Sequence, residues 1–115
     1  MRRRLRAVLT RGEPVAVSSL ALFELWYGVA KSARAAANTE RLAIFLAPLE
    51  TLPFDDDDAR AAGAVRAALE QVGTPIGAYD TLLAGQAVRR GLLMVTANVA
   101  EFARVSGLSW QNWAE

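Results

Sequence analysis

The sequence predicts an α/β fold with a short, mostly parallel sheet and helices on both faces. Its 115 residues, 53% of them hydrophobic and 22% charged, suit one globular domain with one core. Short β-branched or apolar runs alternate along the chain with segments of helical spacing, the order expected of parallel strands joined by helices. The run LLMV at residues 92–95 is continuously apolar, which is typical of a strand covered on both faces. We therefore expect a single α/β domain over residues 1–115.

The first half of the chain predicts three helices and two strands. The helices cover residues 2–10, residue 20 to about 32, and a segment that Asn38 or Thr39 caps and Pro48 ends; the strands cover residues 15–17 and 51–54. Ser18 or Ser19 can cap the second helix, so the first strand passes directly into it. This helix is apolar nearly all round, which predicts burial or an interface, and Glu24 is its one acid.

The second half predicts an alternation of helices and strands with clear stop signals. An alanine-rich helix follows the four aspartates at 55–58 and ends near Gly73; a helix opened by Asp80 ends at residues 89–91; strand 92–95 is next, then a helix over 99–105 and a last strand within 108–113. Two arginines and a glycine at 89–91 suit a helix end, because cations interact favourably with the negative end of the helix dipole.

The composition excludes several kinds of chemistry. The chain has no cysteine and no histidine, which excludes disulfides, thiolate nucleophiles, Cys-based zinc sites and Ser-His-Asp triads. Any catalysis is expected to use carboxylates with a hard cation such as Mg²⁺. The basic start resembles that of a signal peptide, but Arg11 and Glu13 interrupt the next segment before an apolar stretch can form. We therefore expect no export signal, no membrane span and a cytoplasmic protein.

Polar side chains follow the ends of two predicted parallel strands, where open sheets bind ligands. They are Ser18, Ser19 and Glu24 after the first strand, Thr96 and Asn98 after strand 92–95, and Asp80 at a nearby helix start. If Glu24 is buried it needs a cation, a metal or water, because an unpaired buried carboxylate is costly; otherwise it faces solvent or pairs with an arginine. Asp80 could equally be a helix N-cap, and Asn98 a turn residue.

Other charged and aromatic residues have simple structural explanations. The aspartates at 55–58 resemble a metal cluster, but consecutive side chains point in different directions, and capping explains aspartate before a helix. The arginines at 2–4 suit a solvated helix end, with phosphate contact as the alternative. Trp26 and Tyr27 are predicted to be core or partner contacts.

Taken together, blocks spread over most of the chain resemble the PIN-domain ribonucleases, most of all the VapC toxins of bacterial type II toxin–antitoxin systems. The blocks are VAVSS at 15–19, FELWYG at 23–28, LPFD at 52–55, GTPIG at 73–77, DTLLA at 80–84, VTAN at 95–98, EF at 101–102, GL at 107–108 and Trp113. Each motif is weak alone, and their order along the chain makes the resemblance specific.

The resemblance implies an α/β/α sandwich that binds Mg²⁺ or Mn²⁺ and cuts RNA phosphodiester bonds. Glu24 and Asp80 match carboxylates of the family's metal site, Asn98 matches a position that carries Asp or Asn, and Thr96 matches its supporting hydroxyl. Such proteins are usually homodimers that a cognate antitoxin neutralises by wrapping around the toxin and reaching its acidic site. These residues and partners are what the resemblance implies for this chain.

The sequence departs from the family pattern at its start. Family members open with a strand of the form L-D-T-N, whose aspartate is a central metal ligand and which lies in the middle of the sheet. This sequence has no such block, so the family's first strand and first helix are absent from it. Three interpretations are open: a metal-dependent endoribonuclease toxin, either active or inactive as given without the first aspartate; a non-catalytic PIN remnant that binds an antitoxin or dimer partner; and an unrelated small α/β domain.

Overall fold

The computed structural model describes residues 2–113, which alternate between helices and short strands. Their bounds are α1 (Arg2–Thr10), β1 (Ala16–Ser18), α2 (Ser19–Ala30), α3 (Ala35–Leu46), β2 (Glu50–Leu52), α4 (Asp56–Gln71), α5 (Ala78–Arg90), β3 (Leu93–Val95), α6 (Val99–Phe102) and β4 (Ser109–Gln111). The α/β prediction is confirmed. Among these helices, none combines the length and the apolar character needed to cross a membrane.

All four strands pair in parallel, as the sequence predicts. β1 pairs with β2 in a register that sets Val17 opposite Thr51, and β3 pairs with β4 in a register that sets Met94 opposite Trp110. Within residues 2–113 the strands form two separate two-stranded sheets rather than one continuous sheet. The absence of a middle strand stays a prediction from the resemblance.

The described residues divide into two compact units, and the first, Arg2–Pro53, holds α1 to α3 and the β1–β2 pair. Ser18 caps α2, because its Oγ accepts a hydrogen bond from the backbone N–H of Leu20 at 3.2 Å. No residue of α2 is buried, and its aromatic side chains are exposed: Phe23 by 66%, Tyr27 by 54% and Trp26 by 41%. The prediction of a buried α2 is therefore wrong, and so is a core position for Trp26 and Tyr27. An interface is the interpretation of α2 that remains.

The start of α3 differs from the sequence prediction. The helix begins at Ala35 with Arg34 as its N-cap residue, so Asn38 and Thr39 lie inside the helix and neither caps it. Alanine has the highest helix propensity, so the alanines at 35–37 continue the helix instead of forming a connection. The Asn38 side chain reaches back and donates from Nδ2 to Ser32 Oγ at 3.0 Å.

The second unit, residues 54–113, is organised around α4 and α5. Asp55 caps α4 in a capping box, in which the Asp55 side chain accepts from the Asp58 N–H and the Asp58 side chain accepts from the Asp55 N–H. Gly73, with φ +74°, comes after the end of α4, and Gly91, with φ +64°, ends α5. These stop signals are confirmed. Both glycines adopt the left-handed backbone conformation, which residues with a Cβ rarely adopt.

The core of the second unit lies between α4, α5 and the segment that contains α6. Its buried members are Leu69, Ala84, Phe102 and Val105, with Val65, Ile76, Val88, Met94 and Leu108 packed against them. The prediction that strand 92–95 is covered on both faces is wrong, because Leu92 is 38% and Leu93 48% exposed. β3 pairs with β4, and Met94 is the residue of β3 that packs against the core. α6 stops at Phe102, three residues before its predicted end.

A buried carboxylate links the first turn of α4 to the last turn of α5. Asp58 is fully buried and accepts two hydrogen bonds from Arg90, Nε to Oδ1 at 3.2 Å and Nη2 to Oδ2 at 2.9 Å. Arg89 Nη1 adds a third at 2.9 Å, and Gln86 Nε2 a fourth at 3.1 Å. The aspartate run therefore caps a helix and forms ion pairs, which confirms its structural interpretation.

Gly85 marks the closest approach of α4 and α5. A Cβ built on Gly85 would lie 2.7 Å from the Cβ of Ala62 and closer still to its Cα and N. We expect Gly85→Ala to lower the free energy of unfolding by about 1 to 3 kcal/mol, because the two helix backbones must move apart. Urea unfolding followed by circular dichroism measures the change.

Gly63→Ala is the matched control for this substitution. Gly63 also lies inside a helix, α4, but a Cβ there would meet nothing within 4 Å. Alanine is the better helix former, so this variant should be more stable than the wild type by about 0.5 to 1 kcal/mol. Equal effects of the two substitutions would contradict the close approach at Gly85.

Candidate active site

Asp80 presents a half-buried carboxylate in the first turn of α5. It is the third residue of the helix, and Gly77 is the N-cap residue, so the alternative that Asp80 is an N-cap is wrong. The Gly77 carbonyl accepts both the backbone N–H and the hydroxyl of Thr81, each at 2.9 Å. Because the two hydrogen bonds of Thr81 close this turn, the Asp80 carboxylate remains available for other contacts.

Asn98 and Thr96 follow the end of β3, and Asn98 contacts Asp80. Asn98 Nδ2 donates to Asp80 Oδ2 at 3.1 Å, and the backbone N–H of Asn98 donates to Thr96 Oγ1 at 3.0 Å. The structure thus brings together three of the four site residues that the sequence predicts. The backbone of Asn98, with φ −87°, is not left-handed, so the left-handed turn that asparagine tolerates is not its role here.

Glu101, to which the sequence alone assigns no role, completes the acidic cluster. It is half-buried in α6, and its Oε2 is a buried oxygen without a hydrogen-bond partner. A Cβ on Gly77 would lie 3.9 Å from both Asp80 Oδ2 and Glu101 Oε2, so the two carboxylates flank the open side of that glycine. The sequence offers one signal that could have identified Glu101, which is that it lies one helical turn after Asn98.

The two carboxyl groups perturb each other. Burial, together with hydrogen bonding to Glu101 and repulsion from its charge, raises the pKa of Asp80 to about 6. The pKa of Glu101 is held below its usual range, mainly because the Asp80 carboxyl donates a hydrogen bond to it. Two interacting carboxyl groups titrate as a pair, and this pair holds a proton to a higher pH than an isolated aspartate does.

The donors at this site fit a hard divalent cation. Across residues 2–113 no three acidic side chains come close enough together to hold an ion. Mg²⁺, however, is commonly bound through one or two carboxylates and keeps several waters. The carboxylates of Asp80 and Glu101 supply such oxygens, and Glu101 Oε2 is a buried acceptor that a cation would satisfy.

Glu24, the fourth predicted site residue, lies on α2 in the other unit and is exposed. Its exposure removes the argument that a buried carboxylate there needs a partner. Its role at the metal site stays a prediction from the family resemblance.

Comparison with known proteins places the chain in a family. The PIN domain family model matches residues 1–108. The chain is 41% identical over 97 residues to the tRNA(fMet)-specific endonuclease VapC of Salmonella typhimurium, a match that covers 84% of this chain and 74% of the relative. It is 39% identical over 106 residues to ribonuclease VapC2 of Rickettsia felis, a match that covers 92% of this chain and 79% of the relative.

Solved structures agree with these relatives. A chain of the Rickettsia felis VapBC2 structure bound to a promoter DNA fragment matches with a TM-score of 0.90 and 37% identity, over 97% of this chain and 84% of that one. A chain of the DNA-bound Salmonella typhimurium VapBC structure matches with a TM-score of 0.87 and 39% identity, over 96% and 83%. The chain therefore belongs to the PIN-domain family and, within it, to the VapC ribonucleases.

Proposed function

We propose that this chain is a metal-dependent endoribonuclease, the toxin of a bacterial toxin–antitoxin pair, which hydrolyses phosphodiester bonds in RNA. The observation that carries the proposal is the Asp80–Asn98–Glu101 cluster, in which two carboxyl groups interact and Asn98 donates a hydrogen bond to Asp80. Family membership supports it, since the relatives are named as ribonucleases and endonucleases. The absence of histidine from the chain also favours carboxylate and cation chemistry over an imidazole base.

The residues of the cluster have distinct roles in this proposal. Asp80 and Glu101 would supply anionic oxygens for Mg²⁺ or Mn²⁺, a role that requires both carboxyl groups to be ionised. Asn98 orients Asp80, and Thr96 fixes the backbone of Asn98. Gly77 leaves the space between the carboxylates open. The bound cation would supply an activated water and offset the negative charge that develops on the phosphate.

The resemblance also implies a metal-site role for Glu24, and we retain that role as a proposal. It also suggests the first substrate to test. The Salmonella relative is named for tRNA(fMet), so tRNA is the RNA class that we propose.

Partners of this chain are proposed from the same comparison and from α2. The similar solved structures are VapBC toxin–antitoxin complexes, so we propose a cognate antitoxin and a second copy of the chain as partners. Phe23, Trp26 and Tyr27 of α2 are exposed aromatic side chains, and Ile44 and Phe45 of α3 are exposed as well. Exposed apolar surface of this extent is typical of an interaction site.

A non-catalytic PIN remnant is the second candidate. The observation that favours it is the absence, within residues 2–113, of a group of three acidic side chains that could hold an ion. Such a protein would bind an antitoxin or a second copy but leave RNA intact.

Cleavage of tRNA with Mg²⁺ and with EDTA tests the proposal. We expect cleavage in Mg²⁺, loss of cleavage in EDTA, and recovery when Mg²⁺ or Mn²⁺ is added back, because the carboxylates alone cannot activate water. Product analysis on a denaturing gel measures it, and an Asp80→Asn preparation purified in parallel controls for contaminating nucleases. Unchanged cleavage in EDTA would contradict the metal dependence. Intact tRNA in Mg²⁺ together with antitoxin binding would support the remnant instead.

A further inference from the structure

Arg104 joins two parts of the candidate active site that lie far apart in sequence. Its Nη1 donates to the carbonyl oxygen of Pro75 at 2.9 Å, across 29 residues of chain. Its backbone N–H donates to the carbonyl of Glu101 at 3.1 Å, so it comes directly after the turn that carries this acid. Arg104 therefore connects the segment that carries Glu101 to the segment before α5.

The segment before α5 needs such a connection. Residues 74–77 form neither helix nor strand, and they end at Gly77, the N-cap residue that has no side chain with which to cap α5. The N–H of Thr74 bonds to the Leu69 carbonyl at 2.9 Å, which fixes the start of the segment. The hydrogen bond from Arg104 fixes its middle. Gly77 and Asp80 come within five residues of Pro75.

We propose that Arg104 is a positioning residue, which ties residues 74–77 to α6 and thereby sets Asp80 against Glu101 for cation binding. The part of this inference that concerns cation binding rests on the proposed function, whereas the hydrogen bond from Arg104 to Pro75 is a feature of the structure. Side chains that orient metal ligands without touching the metal typically change metal affinity or activity by about 10- to 100-fold when they are replaced. Arg104 acts on both carboxylates through the backbone segments that carry them.

Charge gives Arg104 a second effect of opposite sign. Its positive charge lowers the pKa of Glu101, which favours the ionised form, but it also repels a divalent cation. Arg104 is exposed, so solvent and salt screen its charge, whereas the short hydrogen bond to Pro75 is a fixed geometric constraint. We therefore expect that loss of the hydrogen bond to Pro75 weakens cation binding more than removal of the positive charge strengthens it.

Three variants separate these effects. Arg104→Met removes the charge and the donor but keeps an unbranched stem, and Arg104→Lys keeps the charge and one donor. Arg60→Met is the matched control, because Arg60 is an exposed arginine of α4. Thermal unfolding of all three establishes that they fold.

The first measurement is amide hydrogen exchange on the metal-free full chain. In Arg104→Met we expect several-fold faster exchange for residues 76–81, including the Thr81 amide that bonds to Gly77, and unchanged exchange in α4. Arg104→Lys should recover part of the protection, and Arg60→Met should match the wild type. Equal protection of residues 76–81 in Arg104→Met and the wild type would overturn the proposal.

The second measurement is Mn²⁺ affinity, followed by electron paramagnetic resonance. We expect about tenfold weaker Mn²⁺ binding in Arg104→Met, partial recovery in Arg104→Lys, and an unchanged KM for tRNA. Tighter Mn²⁺ binding in Arg104→Met would show that charge repulsion dominates, and a raised KM with unchanged Mn²⁺ affinity would show an RNA contact; either result overturns the proposal. If the wild type binds no Mn²⁺, the proposed function fails, and hydrogen exchange alone decides whether Arg104 positions the segment.

Discussion

Asp80→Asn is expected to lower Mg²⁺-dependent RNA cleavage by about a hundredfold or more while the protein stays folded. The substitution keeps the size of the side chain but removes one of the two carboxylates of the cluster. The expected loss lies at or beyond the upper end of what replacing a supporting residue of a metal site causes. Initial rates of tRNA cleavage and Mn²⁺ affinity, measured on the same preparations, check it.

The same substitution should leave the melting temperature near pH 7 unchanged or slightly higher. The pKa of Asp80 is raised to about 6, mainly by burial, so its ionised form costs stability as the pH rises through that value. Asparagine resembles the protonated carboxyl, and it can both accept from Asn98 and donate to Glu101. If Asp80→Asn is at least as stable as the wild type but has lost activity, the Asp80 carboxylate serves function rather than stability.

Asp56→Asn controls for the change of residue type. Asp56 is an exposed aspartate in the first turn of α4, as Asp80 is a half-buried one in the first turn of α5. We expect it to cleave RNA at the wild-type rate. If Asp80→Asn cleaves as fast as Asp56→Asn, Asp80 has no role in catalysis.

The sequence predicted that Asp80, Thr96 and Asn98 lie near one another, because strand ends are visible in a sequence. Asp80, Thr96 and Asn98 come after turn signals, and the ends of adjacent elements meet at one edge of a sheet. Glu101 was missed for a physical reason. α6 has four residues, too few for a hydrophobic period to show which side of the helix faces inward. An acid in so short a helix looks the same in sequence whether it faces the site or solvent.

The confirmed predictions of helix caps and helix ends depend on neighbouring residues, whereas the exposure of a strand depends on residues far away in the sequence. Asp55, Gly73 and Gly91 act within one turn of their own helices, so their capping and stop roles were predictable. The exposure of Leu93 depends on which strands lie beside β3, which a run of apolar residues does not reveal. Local rules also failed in α3, where the Asn38 side chain contacts the preceding loop and leaves the cap to Arg34.

Asp58→Asn is expected to lower the free energy of unfolding by about 3 kcal/mol or more. Removing one partner of a buried ion pair typically costs about 3 to 5 kcal/mol. Without the Asp58 charge, Arg89 and Arg90 would keep only the more exposed carboxylates of Asp55 and Asp57 as counterions. Asp58 is fully buried, and its two oxygens accept hydrogen bonds from Arg89, Arg90 and Gln86. Asparagine would place two N–H donors among these donors. Urea unfolding at pH 7 measures the change.

Asp57→Asn is the matched control, since Asp57 pairs with the same Arg89 at 3.3 Å but its side chain is 70% exposed. Exposed pairs contribute about 0 to 1 kcal/mol, so this variant should stay close to the wild type. A similar loss in both variants would mean that the general charge of the helix start, rather than the buried pair, stabilises the protein.

The pH dependence of the Asp58 effect identifies its cause. Arg90 above all holds the pKa of Asp58 well below its usual range, against the opposing effect of burial. A carboxyl whose pKa is lower in the folded than in the unfolded state stabilises the fold above the unfolded pKa, about 3.9 for aspartate, and loses that contribution as the pH falls towards the folded value. The stability difference between wild type and Asp58→Asn should therefore be largest near pH 7 and shrink below about pH 4. A difference that stayed constant down to about pH 3 would point to lost packing rather than lost charge.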